Sequence, residues 1–418
     1  MGSKKLLKNA MVISRYNTEP FHASVFVEGN RIASVIPKDA GEVEDFSAEE
    51  VVDLTGKLLI PGAINAHTHA AMTVHRGLSD DDSFEVWLNQ RILPLEERLD
   101  WECVYWASLL AMCEMVKHGT TSFVDMYFFE DAVARAASEM GMRAWLSRGL
   151  VDLVGDPEPR LEENIKVYEK WHGSANGRIQ IGFGPHAPYT CSKAFLARVA
   201  EIARELGTFV TIHLYEAAVE RERFDICSIE ETGILDNAIL AHMVHPPDNA
   251  VEVLRRHDVL ISHNPSSNLK LGNGIAPVQL FLRSGLRVGL GTDGAASNNR
   301  LDVWKEAHVA ALIHKREDAS AITTDDILKM IWEDPGAFFD SLGRIEPGYL
   351  ADLVVVDADD TVFKPRDRLR SHLVYAAFPG TVTDVMINGE WVYRDGEFVH
   401  IDCRKVGIEF EKALERIW

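Results

Sequence analysis

His67 and His69 stand two positions apart at the end of an apolar run, in the segment Pro61-Gly62-Ala63-Ile64-Asn65-Ala66-His67-Thr68-His69. Alternate residues of a strand project to the same side, so both imidazoles can face one ion. A later run ends Thr211-Ile212-His213, and another ends Gly291-Thr292-Asp293. Three neutral imidazoles and a carboxylate suit a borderline divalent cation, Zn²⁺ above all, with Fe²⁺ as the second choice. A cation held this way lowers the pKa of water toward neutrality, which is the chemistry of a hydrolase. A lone His-x-His pair carries little weight, and one histidine at a strand end is usually a satisfied polar cap. The weight comes from four suitable donors, each at a predicted strand end. His242 and His245 form a further pair, of which His242 is expected to face inward and His245 to be structural.

Positioning those donors requires strands whose ends converge. Between residues 61 and 343, short apolar runs alternate with helical patterns. The predicted strands are 58–65, 121–125, 143–147, 179–184, 208–212, 238–241, 259–262 and 287–290, with helices such as 101–117, 132–140 and 194–206 between them. Eight such units point to an α/β fold of the (β/α)₈ barrel type, in which chemistry gathers at the C-terminal strand ends. The two termini differ from this middle. Runs 23–28 and 32–36 flank Gly29-Asn30, a hairpin signal, and near the other end Asn388-Gly389 and Asp395-Gly396 separate further β-rich runs. The expected organisation is therefore residues 1–60 and 344–418 as the two parts of one small β domain. Residues 61–343 form the barrel, and 344–418 the C-terminal part of the small domain plus a closing helix, 406–418.

Bulk properties narrow the function. The 418 residues carry a formal net charge of −21, with both signs mixed along the chain, which argues against nucleic acid or an anionic membrane as partner. Five cysteines without a CxxC pair fit neither a disulfide framework nor a cysteine metal site. With no signal-like or spanning segment, a cytoplasmic location is expected. The partner is expected to be a small molecule, and a homo-oligomer stays open.

The motifs resemble those of the amidohydrolase superfamily. Residues 61–69 resemble its first-strand signature, and His213-Leu214-Tyr215-Glu216, Ser262-His263-Asn264-Pro265-Ser266-Ser267-Asn268-Leu269-Lys270 and Gly291-Thr292-Asp293-Gly294 extend the likeness. Together they are similar to the mononuclear deaminase and chlorohydrolase branch, and within it to the 5′-methylthioadenosine/S-adenosylhomocysteine deaminases. The resemblance spans nearly the whole chain. It implies a TIM-like metal-dependent hydrolase barrel with a small β-sandwich domain built from both termini. Dinuclear members carry a bridging lysine at the fourth strand; Gly184-Pro185-His186 stands there instead, which implies a single metal.

By the same resemblance, Asp293 is both ligand and base, His242 orients the attacking water, and Glu216 relays protons to the substrate ring. Trp87 and Glu96 correspond to residues lining the ribose end of an adenosine pocket. Arg148 and Arg160 correspond to arginines holding the homocysteine carboxylate, and His186 to a residue on the purine side. Asp125 is expected to brace the barrel mouth and the 264–274 loop to cover the site, while His263 is assigned no role. The implied reaction releases ammonia from S-adenosylhomocysteine or 5′-methylthioadenosine. The alternatives are a related aminohydrolase or chlorohydrolase acting on guanine, cytosine, a pterin or a triazine, and a non-catalytic homologue that keeps only the barrel. A metal-free sugar hydrolase would need paired carboxylates at the strand ends, where histidines stand instead.

Overall fold

A computed structural model describes residues 3–40, 48–377 and 380–417, without the side chain of Phe84. Its contacts divide the chain into two compact units. One comprises residues 1–64, 114–122 and 302–401; the other comprises 65–113, 123–301 and 402–418.

The first unit carries a nine-stranded sheet made from both ends of the chain. Lys4–Val12 pairs antiparallel with Phe21–Glu28, which pairs antiparallel with Arg31–Pro37 across the predicted Gly29-Asn30 turn. Lys57–Pro61 joins the termini: it lies parallel to Lys4–Val12 on one side and antiparallel to Leu353–Asp357 on the other. Val382–Ile387 and Glu390–Arg394 continue the sheet through the Asn388-Gly389 turn. Both residues of that turn have positive φ, 56° and 81°, as a tight hairpin matched to the strand twist requires. Leu7, Val25, Leu59, Leu353, Val355, Met386 and Trp391 share one core, so apolar residues far apart in the chain shield each other from water.

The predicted run 58–65 is two strands rather than one. Lys57–Pro61 belongs to the terminal sheet and Ala63–Thr68 begins the barrel. Gly62 separates them at a point where no side chain fits, because a Cβ there would collide with Thr121. Apolar periodicity cannot show this break, since both strands are buried.

Barrel strands follow in chain order as Ala63–Thr68, Thr120–Tyr127, Arg143–Leu150, the pair Ile179–Ile181 and Gly184–Pro185, Val210–Leu214, Ala238–His242, Val259–His263 and Arg287–Leu290. Neighbours pair parallel wherever their register is defined. The fourth and fifth positions meet through a parallel bridge between Phe183 and Val210. The eighth returns to the first through the Asp293 N–H, which donates to the His67 carbonyl at 3.0 Å. Beside it, Asn65 donates from Nδ2 to Thr292 Oγ1 (2.8 Å) and accepts from the Thr292 amide (3.0 Å). Closure thus lies next to His67 and Asp293. Helices Trp101–Lys117, Glu130–Met140 and Lys193–Glu205 match the predicted helices to within two residues.

The C-terminal helix Cys403–Ile417 groups with the barrel unit; Trp418 lies outside the described residues. Its buried stripe is Val406, Phe410, Ala413 and Ile417, and Arg416 pairs with Glu102 on the Trp101–Lys117 helix at 3.1 Å. None of the described helices is long and apolar enough to cross a membrane.

Gly291 marks the tightest point of the closure. A Cβ there would overlap Asn264 Oδ1 and Ser262 Oγ and lie 3.0 Å from His67 Cβ, all of them buried. Gly291→Ala is therefore expected to lose about 1–3 kcal/mol by overpacking. Urea unfolding measures it, and an unchanged midpoint would contradict the packing described.

Candidate metal centre and surrounding site

The four predicted metal donors converge. One ligand atom from each of His67, His69 and His213 lies within 4.8 Å of the others, and so do atoms of His67, His242 and Asp293. Asp293 Oδ1 is 3.2 Å from His69 Nε2 and 3.6 Å from His67 Nε2, and His213 Nε2 is 3.3 Å from His69 Nε2. All are buried.

Two of the imidazoles are oriented by backbone carbonyls. His69 Nδ1 donates to the Met126 carbonyl at 2.5 Å, and His213 Nδ1 donates to the His186 carbonyl at 2.9 Å. Each bond fixes the tautomer that turns Nε2 toward the cluster. His67 has both ring nitrogens buried without a hydrogen bond. A buried imidazole with two unsatisfied nitrogens is costly in a dry interior. A divalent cation among these donors would take the lone pair of one of the two nitrogens, so the residues fit a metal site.

Electrostatics agree at three of the four donors; at His69 burial is outweighed by Asp293, which lifts the ring to about 9. Burial holds His67 down to about 4 and pushes His213 well below its ordinary range, so both stay neutral and keep a lone pair to give. Burial alone would raise the Asp293 carboxyl, but His67 and His69 outweigh it and hold the group well below its usual range. Its other oxygen, Oδ2, accepts from Ser267 Oγ (2.6 Å) and Ser297 Oγ (2.8 Å), and the Gly294 amide donates to Oδ1 at 2.9 Å. Asp293 is ionised, aimed and held.

Glu216 and His242 meet beside the cluster. Glu216 Oε2 is 3.7 Å from His242 Nε2, and Glu216 Oε1 accepts from Asn273 Nδ2 at 2.9 Å. The chain reverses between His213 and Glu216 at Tyr215, whose φ is 52°. Buried Glu220 stabilises this turn, accepting from the amides of Tyr215 (3.0 Å) and Ala217 (2.9 Å) on either side of Glu216. Burial raises Glu216 to about 7, opposed by the nearby His242. A carboxyl poised there can both give and take a proton near neutral pH. His242 Nδ1 bonds Asn268 Oδ1 at 2.8 Å. His245 Nε2 donates to the Asn273 carbonyl at 2.6 Å, steadying the residue that holds Glu216.

The predicted substrate residues lie in the same unit. The His186 ring is 4.9 Å from that of His213, with Nδ1 2.9 Å from Thr190 Oγ1; burial keeps it near 4, hence neutral. Trp87 is buried. Glu96 Oε1 is buried and takes no hydrogen bond, and burial lifts this carboxyl to about 7 against the pull of the Tyr127 hydroxyl. Arg148 stacks on Phe128 at 4.7 Å, donates from Nε to Glu163 (2.9 Å), and donates from Nη1 to the Gly149 carbonyl (2.7 Å). Arg160 donates to the Val154 carbonyl at 3.0 Å; burial, and then the charge of Arg148, lower its pKa. His263 is fully buried, and its carbonyl accepts the Gly291 amide at 3.0 Å.

Sequence reasoning missed the supports: Ser267, Ser297, Asn268, Asn273 and Glu220. Four of them are small polar residues, Ser267 and Asn268 in the short helix Pro265–Lys270 and Asn273 and Ser297 outside helices, and turn formation is the default reading of such residues. Only Ser267 and Asn268 fell inside a quoted motif, and no role was attached to them.

Comparison with known proteins agrees with this geometry. Residues 58–392 match the model of the amidohydrolase family. The chain is 43% identical over 415 residues to the 5-methylthioadenosine/S-adenosylhomocysteine deaminase of Thermotoga maritima, covering 99% of each chain. It is 39% identical to the 5′-deoxyadenosine deaminase of Methanocaldococcus jannaschii, covering 98% of each. A crystal structure of an adenosine deaminase from Xanthomonas campestris with bound zinc superposes with a TM-score of 0.93 at 30% identity, covering 100% of this chain and 99% of that one. The chain belongs to the amidohydrolase family.

Proposed function

We propose that this protein is a metal-dependent hydrolytic deaminase of 5′-substituted adenosines, converting S-adenosylhomocysteine to S-inosylhomocysteine and 5′-methylthioadenosine to 5′-methylthioinosine with release of ammonia. The observation that carries it is the buried Glu216–His242 pair, 3.7 Å apart, beside a cluster of metal donors. His67, His69, His213 and Asp293 would hold one divalent ion, zinc before iron because nitrogen donors dominate the set. Bound there, such an ion supplies Lewis acidity and makes water ionisable at neutral pH.

The protein's own groups do the rest. Asp293, ionised and held by Ser267 and Ser297, accepts the proton of the attacking water. His242, fixed by Asn268, orients that water toward C6 of the purine and stabilises the charge that develops. Glu216 protonates the ring nitrogen next to C6, making the carbon electrophilic; it then relays to the departing amino group the proton that Asp293 took from water, and the proton of the new C6 hydroxyl recharges it as the amino group leaves. His186 and Trp87 line the nucleoside.

The nucleoside class rests on two supports. The curated relatives described above are named for adenosine derivatives. Within the site, buried Glu96 Oε1 is an acceptor without a donor, the complement of a ribose hydroxyl pair. Arg148 and Arg160 are assigned to the carboxylate of the homocysteine moiety. Glu163 and the Gly149 carbonyl occupy Nε and Nη1 of Arg148, leaving Nη2 for this contact.

Purified enzyme offered a panel of amines is expected to turn over S-adenosylhomocysteine and methylthioadenosine faster than guanine, cytosine or a triazine; faster turnover of free guanine would reject the assignment. Glu216→Gln is expected to keep its metal while kcat falls roughly 10²–10⁴-fold, the range for a lost general acid–base. Retention of full kcat would remove Glu216 from the mechanism. Arg148→Ala is expected to lower kcat/KM for S-adenosylhomocysteine by roughly 10- to 100-fold, the worth of a hydrogen bond to a charged group, and to spare adenosine. Equal losses on both substrates would cancel the carboxylate role.

A further inference from the structure

Asp125 and Glu130 are both fully buried, and the proposed reaction uses neither. Asp125 lies in the second barrel strand, Thr120–Tyr127, and Glu130 opens the following helix, Glu130–Met140. Each spends one oxygen on a backbone amide. Asp125 Oδ1 accepts from Ala70 at 2.6 Å, and Glu130 Oε1 accepts from Tyr127 at 2.7 Å.

The remaining oxygens, Asp125 Oδ2 and Glu130 Oε2, are buried and have no hydrogen-bond partner among the described residues. The two carboxyls are near enough for the charge of one to act on the other. Ionised carboxylates only accept, so a bond between two of them needs a proton. A single proton between Oδ2 and Oε2 satisfies both atoms and leaves one negative charge where two would repel. The surroundings favour that state: burial lifts Asp125 to about 7, and burial followed by the charge of Asp125 lifts Glu130 well above its ordinary range. Of the other charged groups facing the pair, His69 and Arg148 act to keep it ionised, and Glu163 acts against.

The amides held by the pair flank a metal donor's support. Ala70 follows His69 in the chain, and Met126, whose carbonyl accepts the His69 Nδ1 proton at 2.5 Å, sits between Asp125 and Tyr127. One carboxyl therefore grips the backbone just after His69, and the other grips the backbone just after its acceptor. We propose that Asp125 and Glu130 act as positioning residues, a proton-sharing carboxyl clamp that sets the His69 ring, and so its Nε2, for the metal. The inference rests on the metal-site reading above.

Glu130→Gln keeps an acceptor for the Tyr127 amide and offers an N–H to Asp125 Oδ2, whereas Glu130→Ala removes both. Infrared difference spectra of wild type against Glu130→Gln, at neutral pH, should show one protonated-carboxyl C=O stretch lost in the variant. Cobalt(II) titration of apo protein should give Glu130→Gln an affinity within about threefold of wild type. Glu130→Ala should bind roughly 10- to 100-fold more weakly, the usual cost of losing an outer-shell partner, with an altered d–d spectrum. Absence of the protonated-carboxyl band in wild type overturns the clamp, as does equal cobalt affinity in the Gln and Ala variants. Should Glu130→Ala not fold, the infrared comparison of wild type with Glu130→Gln and Asp125→Asn decides alone. Failure of wild type to bind cobalt would instead strike the metal reading itself, and that arm is read separately from the band.

Discussion

Taking three imidazoles and a carboxylate out of water together is unfavourable unless something positive sits among them. Asp293 stays ionised despite burial because His67 and His69 face it, and His67 keeps two ring nitrogens with no hydrogen bond at all. Neither condition is economical for a closed interior of protein groups alone. A divalent cation would stabilise the carboxylate and take the lone pair of one His67 nitrogen. The barrel closes at this same place: the Asp293 amide bonds the His67 carbonyl, so the join between the last strand and the first also sets the distance between two donors.

Around that centre the protein repeatedly uses carboxylates, carboxamides and hydroxyls to hold other side chains still. Glu220 grips the amides on both sides of Glu216, Asn268 bonds His242, and Ser267 and Ser297 bond Asp293. Left-handed backbone at Tyr215, His242, Met243 and Asp293 accompanies these contacts, with φ between 47° and 75°. Such conformations cost energy and persist only where surrounding bonds over-determine them. Local strain here buys aim: each reactive group is directed before substrate arrives, and little reorganisation is left for the reaction.

Much of this was legible in the sequence, and the reasons it was not complete are physical. Metal donors could be found because each sits at the end of an apolar run, and the barrel focuses those ends. Trp101–Lys117 could be bounded to the residue because its apolar periodicity is long. The break at Gly62 was hidden because two buried strands run into one another without a polar residue between them. The neighbour of the C-terminal helix was not legible, since an apolar stripe says that a helix packs but not against what. Glu130 reads as an ordinary first-turn helix acid, the kind the helix dipole favours anywhere; only its complete burial distinguishes it. Asn273 and Ser297 resemble turn formers until their partners are known.

The central claim is the cation, and metal content measures it most directly. Protein purified without chelator, or apo protein given zinc and dialysed, is expected to hold one divalent ion per chain by elemental analysis, and to lose it when Asp293 is replaced by alanine. Protein that carries no metal, and takes up none at neutral pH while remaining folded, would contradict the account.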